Sequence, residues 1–121
     1  MKRILIIDDD SEIRTVLREI LEAAEYDVEE ATNGHEGITA FRNGRHDLII
    51  TDIVMPKKEG METIMDLKIE FPDIKIIAIS GGGRFDPKPY LELADGFGAD
   101  GILMKPFHHE DLLKMVQGLL E

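Results

Sequence analysis

The sequence predicts an α/β fold, (βα)5, in which a doubly wound parallel five-stranded sheet lies between two layers of helices. Three observations predict it: five short apolar runs recur along the 121 residues, amphipathic patterns separate them, and the connections are short. Strands and helices that alternate in this way form βαβ units with parallel strands and right-handed crossovers. The length suits one domain, and we expect it to span residues 1–121 with no output domain in this chain.

The five predicted strands differ in how apolar they are. The runs at 4–7, 48–50 and 76–79 are continuously apolar, which is typical of parallel strands covered by helices on both faces. The runs around Val28 and at 102–104 are weaker. These two are expected at the edges of the sheet.

Five helices are predicted between and after these strands. Asp10 or Ser11 could cap the first by accepting free backbone N–H groups, Asn43-Gly44 is expected to end the second, and Pro72 to close the third. The apolar positions that predict the helices are, in chain order, Ile13, Val16, Leu17, Ile20 and Leu21; Ile38 and Phe41; Ile64, Leu67 and Phe71; Tyr90, Leu91 and Ala94; and Leu112, Leu113, Val116, Leu119 and Leu120.

Composition excludes several classes of function. With 14 Lys+Arg against 25 Asp+Glu, the formal net charge is −11, and such a surface repels nucleic acid and anionic lipid. Cysteine is absent, which rules out disulfides and thiolate chemistry. No apolar run approaches the roughly 20 residues of a membrane span, and no signal peptide is apparent. We therefore expect a cytoplasmic domain that neither contacts nucleic acid directly nor inserts into a membrane.

Charged and polar residues leave the predicted strands at one edge of the sheet. In open parallel sheets, ligands bind beyond the carboxyl ends of the strands. The residues found there are Asp8, Asp9 and Asp10 after the first strand, Thr51 and Asp52 at the third, Ser80 at the fourth, and Lys105 and Pro106 at the fifth.

This set of side chains predicts phosphoryl chemistry with a divalent metal. Carboxylates at Asp8, Asp9 and Asp52 would repel one another unless a cation were bound, and a ligand set of oxygens selects Mg²⁺ or Mn²⁺. A carboxylate beside such a metal can attack a phosphoryl group. Lys105 would add positive charge and Ser80 a hydrogen bond to a phosphoryl oxygen. The predicted product is an aspartyl phosphate.

Four motifs give this sequence a family resemblance. Ile-Leu-Ile-Ile-Asp-Asp-Asp at 4–10, Asp-Leu-Ile-Ile-Thr-Asp-Ile-Val-Met-Pro at 47–56, Ile-Ala-Ile-Ser at 77–80 and Lys-Pro-Phe at 105–107 resemble the receiver domain of two-component response regulators, in particular the stand-alone chemotaxis type. The resemblance covers the whole chain. It implies the flavodoxin-like strand order 2-1-3-4-5.

The resemblance also implies a role for each site residue. Asp52 resembles the phosphoacceptor that a histidine kinase phosphorylates, Asp9 the direct Mg²⁺ ligand, and Asp8 the second acid, which reaches the metal through water. Val54 resembles the position whose backbone carbonyl completes the metal shell. Ser80 matches the switch hydroxyl. Lys105 matches the lysine of the site, and the Lys105–Pro106 bond is expected to be cis.

Two features depart from the family pattern. Ile102 stands where the family often has a Tyr or Phe that swings inward with the switch hydroxyl. The loop at 81–89 is longer and richer in glycine than in chemotaxis-type members. The signal is therefore expected to pass through Ser80, this loop and the fourth predicted helix.

The implied function is a phosphorylation-controlled switch that catalyses its own phosphorylation and hydrolysis and is not an enzyme on an external substrate. Its partners would be a histidine kinase or phosphotransfer protein and a downstream protein. The downstream protein would bind the face formed by the fourth helix, fifth strand and fifth helix. Candidate side chains on that face are Tyr90, Leu91, Leu93, Ile102 and Leu113.

Other interpretations remain open at this point. A haloacid-dehalogenase-like phosphatase would want a second Asp where Val54 stands and a capping insertion, and a flavodoxin-like cofactor binder would want a Ser/Thr-rich phosphate loop. Within the family, the chain could be a phosphorelay shuttle or the receiver part of a longer regulator.

The histidines are expected on the surface and five methionines in the core. These residues are His35, His46, His108 and His109, and Met55, Met61, Met65, Met104 and Met115.

Overall fold

The structure is a computed structural model that describes residues 1–53, 59–81, 96 and 98–120. Its elements are, in order, β1 (Arg3–Ile7), α1 (Ser11–Ala23), β2 (Asp27–Ala31), α2 (Gly34–Gly44), β3 (Leu48–Asp52), α3 (Glu59–Glu70), β4 (Ile76–Gly81), β5 (Gly101–Lys105) and the C-terminal helix (His109–Leu120). The helix predicted around Tyr90, Leu91 and Ala94 lies outside the described residues, as does the 81–89 loop beyond Gly81.

The five strands form one parallel sheet in the order β2-β1-β3-β4-β5. The predicted fold class and strand order are confirmed. The two weaker runs form the edge strands β2 and β5, as expected. An edge strand has one hydrogen-bonded neighbour instead of two, and its more polar residues stay in contact with water.

Two apolar clusters, one on each face of the sheet, explain the continuous runs. Leu5, Ile7, Ile49, Ile76 and Ala78 face the helices α2 and α3, and their alternate neighbours Ile4, Ile6, Leu48, Ile50, Ile77 and Ile79 face α1 and the C-terminal helix. Successive side chains of a strand point to opposite faces. Because both faces are covered, neither set can be polar.

The structure shows which residues begin and end helices α1 and α2. Asp10 is the N-cap of α1, and its carboxylate accepts a hydrogen bond from the Glu12 amide at 2.9 Å. Helix α2 ends at Gly44, as predicted, but the left-handed residue that stops it is Arg45 (φ 49°, ψ 57°). Gly44 has a different use, because a Cβ there would lie 2.7 Å from the His46 ring.

His46 is therefore not a surface residue, and that expectation is wrong. Its side chain is fully buried, and Nε2 lies 2.7 Å from the Glu29 carboxylate. The ring packs beside Phe41, with the centroids 6.2 Å apart. The contact with Glu29 and the absence of a side chain at Gly44 together allow this polar ring to be buried.

Three apolar side chains expected in the core are instead exposed. Val16 on α1 is 45% exposed, Met65 on α3 38% and Met104 on β5 49%. Val16 lies at the margin of the apolar stripe of α1. Met104 is on an edge strand, which has no neighbouring strand on its outer side.

Candidate phosphoacceptor site

The strand registers bring Asp8, Asp52 and Lys105 together at the carboxyl edge of the sheet. Ile7 of β1 pairs with Thr51 of β3, so the residues that follow, Asp8 and Asp52, lie side by side. Lys105 reaches the same edge as the last residue of β5. The predicted convergence of these three strand ends is therefore present.

One ammonium group lies between the two carboxylates. Lys105 Nζ donates a hydrogen bond to Asp52 Oδ2 at 3.1 Å and lies 3.8 Å from Asp8 Oδ2. Asp8 and Asp52 are buried, at 2% and 8% exposure. The Lys105–Pro106 bond is cis, as expected. The arrangement is thus a pair of sequestered carboxylates that share one positive charge.

Asp8 is the strongly perturbed acid of the site. Burial raises the pKa of its carboxyl to about 7, and the negative charges of Asp52 and Asp9 act in the same direction. A hydrogen bond from the Asp10 amide, 2.9 Å from Oδ1, and the charge of Lys105 oppose the shift. The balance shows that one ammonium does not compensate for removing this carboxylate from water. A further cation would stabilise its charged form.

The remaining predicted residues are placed in different ways. Asp9 is exposed at the same edge, one residue beyond Asp8. The backbone of Ser80 belongs to β4, opposite Met104 of β5, but its side chain lies outside the described part of the structure. Val54 is also outside the described residues.

The donor set of this edge fits Mg²⁺ by its chemistry. Its ligands would be carboxylate oxygens, which hard divalent cations prefer. Within residues 1–53, 59–81, 96 and 98–120, however, no group of three or more His, Cys, Asp or Glu side chains has an arrangement that could hold a metal. Asp8 and Asp52 both lie close to Lys105, and Asp9 is exposed.

Arg14 also contacts the site, although its sequence pattern gave no sign of it: its side chain binds the backbone of Asp8. Arg14 Nη1 donates to the carbonyl oxygen of Asp8 at 2.7 Å, and Nε donates to Glu30 at 3.0 Å. Arg18, one turn later on α1, donates to the other oxygen of Glu30 at 2.6 Å. The spacing of Arg14 and Arg18 predicts that they share a helix face, but a contact to a carbonyl has no signature in side-chain types.

The fold and this edge define a class of protein, the phospho-accepting receiver. The chain belongs to the response regulator receiver domain family, whose model matches residues 4–117. Receiver domains are phospho-accepting switch domains, generally not enzymes, and they interact with histidine kinases and downstream effectors; the family binds Mg²⁺ for phosphorylation. The phosphatase and cofactor-binder interpretations are thereby set aside.

A curated transcriptional regulator is similar to this chain over nearly all of its length. The transcriptional regulatory protein CpxR of Klebsiella pneumoniae is 32% identical over 120 residues, which are 99% of this chain and 50% of that protein. The chain thus spans about half the length of the curated relatives it matches.

Solved structures are similar throughout. The response regulator protein TrrA of Thermotoga maritima, solved in complex with Mg²⁺-BeF, is 34% identical with a TM-score of 0.86, covering 99% of this chain and 100% of that one. The chemotaxis protein CheY4 of Vibrio cholerae is 31% identical with a TM-score of 0.86, covering 99% of each chain.

The described helices include none long and apolar enough to cross a membrane.

Proposed function

We propose that Asp52 is the phosphoacceptor and that it takes its phosphoryl group from a histidine kinase or a phosphotransfer protein, in a reaction that depends on Mg²⁺. The observation that carries this proposal is the 3.1 Å contact between Asp52 Oδ2 and Lys105 Nζ inside a buried acidic edge. We further propose that residues 1–121 act as one receiver domain in the cytoplasm.

The chemistry assigned to Asp52 is a group transfer. A carboxylate oxygen of Asp52 attacks phosphorus, a new O–P bond forms, and the bond from phosphorus to the donor nitrogen breaks with its electron pair leaving on the imidazole. Hydrolysis later replaces the O–P bond by attack of water and restores the carboxylate. The two steps together restore the chain, and the phosphorylated form between them is the signalling state of the proposed switch.

Lys105 and Ser80 act on the phosphoryl oxygens. Lys105 already lies within hydrogen-bond distance of the carboxylate that is modified, so its ammonium is placed to compensate charge added there. Ser80 follows the buried run of β4 next to this edge. Its hydroxyl is assigned the hydrogen bond that reports phosphorylation.

The proposed metal site consists of Asp8, Asp9 and Asp52 with the backbone carbonyl of Val54. When bound, Mg²⁺ supplies positive charge that neutralises the oxygens of the transferring group. The raised pKa of Asp8 supports this assignment, because a buried carboxyl that loses its proton only near neutral pH gains most from a cation beside it. Asp9 contributes from the exposed side of the same edge.

The output surface is assigned to β5, the C-terminal helix and the predicted fourth helix. Ile102 and Met104 of β5 expose 38% and 49% of their surface, which leaves apolar area on an edge strand for a protein partner. Leu113 of the C-terminal helix is half-buried. Phosphorylation would shift an existing equilibrium between two conformations of this face.

Intact-mass measurement tests the proposed function. The protein is incubated with acetyl phosphate, with Mg²⁺ or with EDTA, beside Asp52→Asn and the exposed control Asp73→Asn. We expect one added phosphoryl group in the parent and the control, with Mg²⁺ only, and none in Asp52→Asn. A gain that persists in Asp52→Asn or in EDTA contradicts the proposal. Continuous release of phosphate from an external ester would favour a phosphatase instead.

A further inference from the structure

Asp8 is held by three hydrogen bonds, at its amide, its carboxylate and its carbonyl oxygen. The Asp8 amide donates to the Ala31 carbonyl at 3.1 Å, and Asp8 Oδ1 accepts from the Asp10 amide at 2.9 Å. The Asp8 carbonyl accepts from Arg14 Nη1 at 2.7 Å. That carbonyl belongs to the same planar peptide as the Asp9 amide, so the bond from Arg14 fixes the direction in which the chain continues to Asp9.

Arg14 is itself held in place by a carboxylate on the neighbouring strand. Its side chain is 14% exposed, and Nε donates to Glu30 Oε1 at 3.0 Å. Burial opposes the charge of Glu30, but hydrogen bonds from Arg18 and Arg14 outweigh it and hold the pKa of Glu30 below its usual range. Glu30 is therefore an anion at neutral pH, and it anchors the guanidinium fork that reaches the Asp8 carbonyl.

We infer that Arg14 is a positioning residue for the acid pair: its guanidinium, anchored on Glu30, sets the orientation of the Asp8–Asp9 peptide and thereby the affinity of the site for Mg²⁺. This inference rests on the proposed function, since it assigns the metal to Asp8 and Asp9. Groups that orient metal ligands from behind commonly change metal affinity by 10-fold or more when they are removed.

Arg18 provides a matched control for this role. It carries the same charge, lies one turn further along α1 and donates to the same carboxylate, at 2.6 Å from Glu30 Oε2. The structure gives it no bond to Asp8; its second partner is Glu22 at 3.5 Å. Loss of Arg18 therefore removes a Glu30 ion pair and one positive charge without removing the bond to the carbonyl.

The sign of the expected effect separates positioning from electrostatics. Removing a positive charge near a cation site strengthens cation binding by Coulomb's law. If Arg14 acted only through its charge, Arg14→Met would bind Mg²⁺ more tightly. Loss of the bond to the carbonyl frees the Asp8–Asp9 peptide and has the opposite effect, so weaker binding identifies positioning.

Calorimetric titration with MgCl₂ tests the inference on the parent, Arg14→Met, Arg14→Lys and Arg18→Met, with urea unfolding to verify that each is folded. We expect Arg14→Met to weaken Mg²⁺ binding roughly 10-fold and Arg18→Met to stay within about twofold of the parent. Lysine keeps the positive charge and a donor but cannot bond Glu30 and the Asp8 carbonyl at once with the geometry of a guanidinium. The Mg²⁺ affinity of Arg14→Lys should therefore lie between those of the parent and Arg14→Met.

A second readout examines the peptide in the absence of metal. In ¹H–¹⁵N spectra with EDTA, the Asp9 amide resonance should move in Arg14→Met and stay in place in Arg18→Met. Unchanged or tighter Mg²⁺ binding in Arg14→Met, or an equal loss in both variants, overturns the inference. The parent titration decides the proposed function separately: a parent that binds no Mg²⁺ refutes both, whereas a parent that binds while Arg14→Met binds equally refutes only the role of Arg14.

Discussion

Asp8→Asn should stabilise the metal-free protein at neutral pH. The carboxyl of Asp8 has its pKa raised from 3.8 to about 7 by burial, with the charges of Asp52 and Asp9 adding to the effect. The folded state therefore holds a proton that the unfolded state releases. Between these two pKa values the free energy of unfolding falls as pH rises. Asn keeps an oxygen for the bond from the Asp10 amide but carries no charge.

The size of the effect follows from the shift. A shift of one pKa unit corresponds to about 1.4 kcal/mol, so the full displacement sets a ceiling of about 4 kcal/mol. The full displacement is an upper limit, because the ionised carboxylate at the edge of the sheet, next to the exposed Asp9, can be reached by water when this edge relaxes. We expect Asp8→Asn to be more stable than the parent by about 1–2 kcal/mol above neutral pH, and equal to it near pH ~4, where the parent carboxyl is protonated.

Urea unfolding followed by circular dichroism, with EDTA present, measures this difference across the pH range. The matched control is Asp73→Asn, an exposed carboxylate on the loop after α3, which should change stability by less than about 0.5 kcal/mol at any pH. A gain in Asp8→Asn that is the same at low and at neutral pH would refute the assigned cause. No gain at neutral pH would refute the raised pKa itself.

Three further perturbations have expected outcomes. Lys105→Met should bind Mg²⁺ more tightly, because the competing ammonium is gone, yet accept phosphoryl groups from acetyl phosphate about 100-fold more slowly. If Mg²⁺ binding and phosphorylation were both weakened, the role given to the contact of Lys105 with Asp52 would be contradicted. Ile49→Ala, in the centre of the sheet and fully buried, should lower the free energy of unfolding by about 2–5 kcal/mol, and a loss below about 1 kcal/mol would contradict tight packing there. Gly37→Ala would place a Cβ against a buried side chain of β1, whereas Gly118→Ala meets open space. Thermal unfolding should show Gly37→Ala less stable than the parent by about 1–3 kcal/mol, and Gly118→Ala equally stable or more stable by up to about 1 kcal/mol. Equal effects of the two substitutions would refute the contact at Gly37.

The fold could be predicted because its strands are covered on both faces. Ile4 and Ile6 pack on one helical layer and Leu5 and Ile7 on the other, so burial on both faces forces an unbroken apolar run. The same logic predicted the candidate site. Parallel strands end at one edge, and Asp52 follows the apolar run 48–50 after a single residue, Thr51, so its proximity to the other strand ends could be predicted without the structure.

What the sequence did not predict depends on partners distant in the chain. Glu29 of β2 stabilises the ring of His46, which no local pattern indicates. The bond from Arg14 to Asp8 ends on a backbone carbonyl, a group that every residue has. The meeting of the three strand ends was predicted, but not that Lys105 Nζ lies 3.1 Å from Asp52 and 3.8 Å from Asp8. That geometry depends on strand register, which side-chain types alone do not give.

Chemical mapping of the phosphoryl group shows whether Asp52 is the phosphoacceptor. The protein is phosphorylated with acetyl phosphate and Mg²⁺, reduced with borohydride, which converts an aspartyl phosphate to homoserine, and digested for peptide mass mapping. We expect homoserine at Asp52, next to Lys105, and at no other aspartate. Homoserine at Asp8 or Asp9, or a phosphoryl group that survives reduction on a hydroxyl side chain, would contradict it.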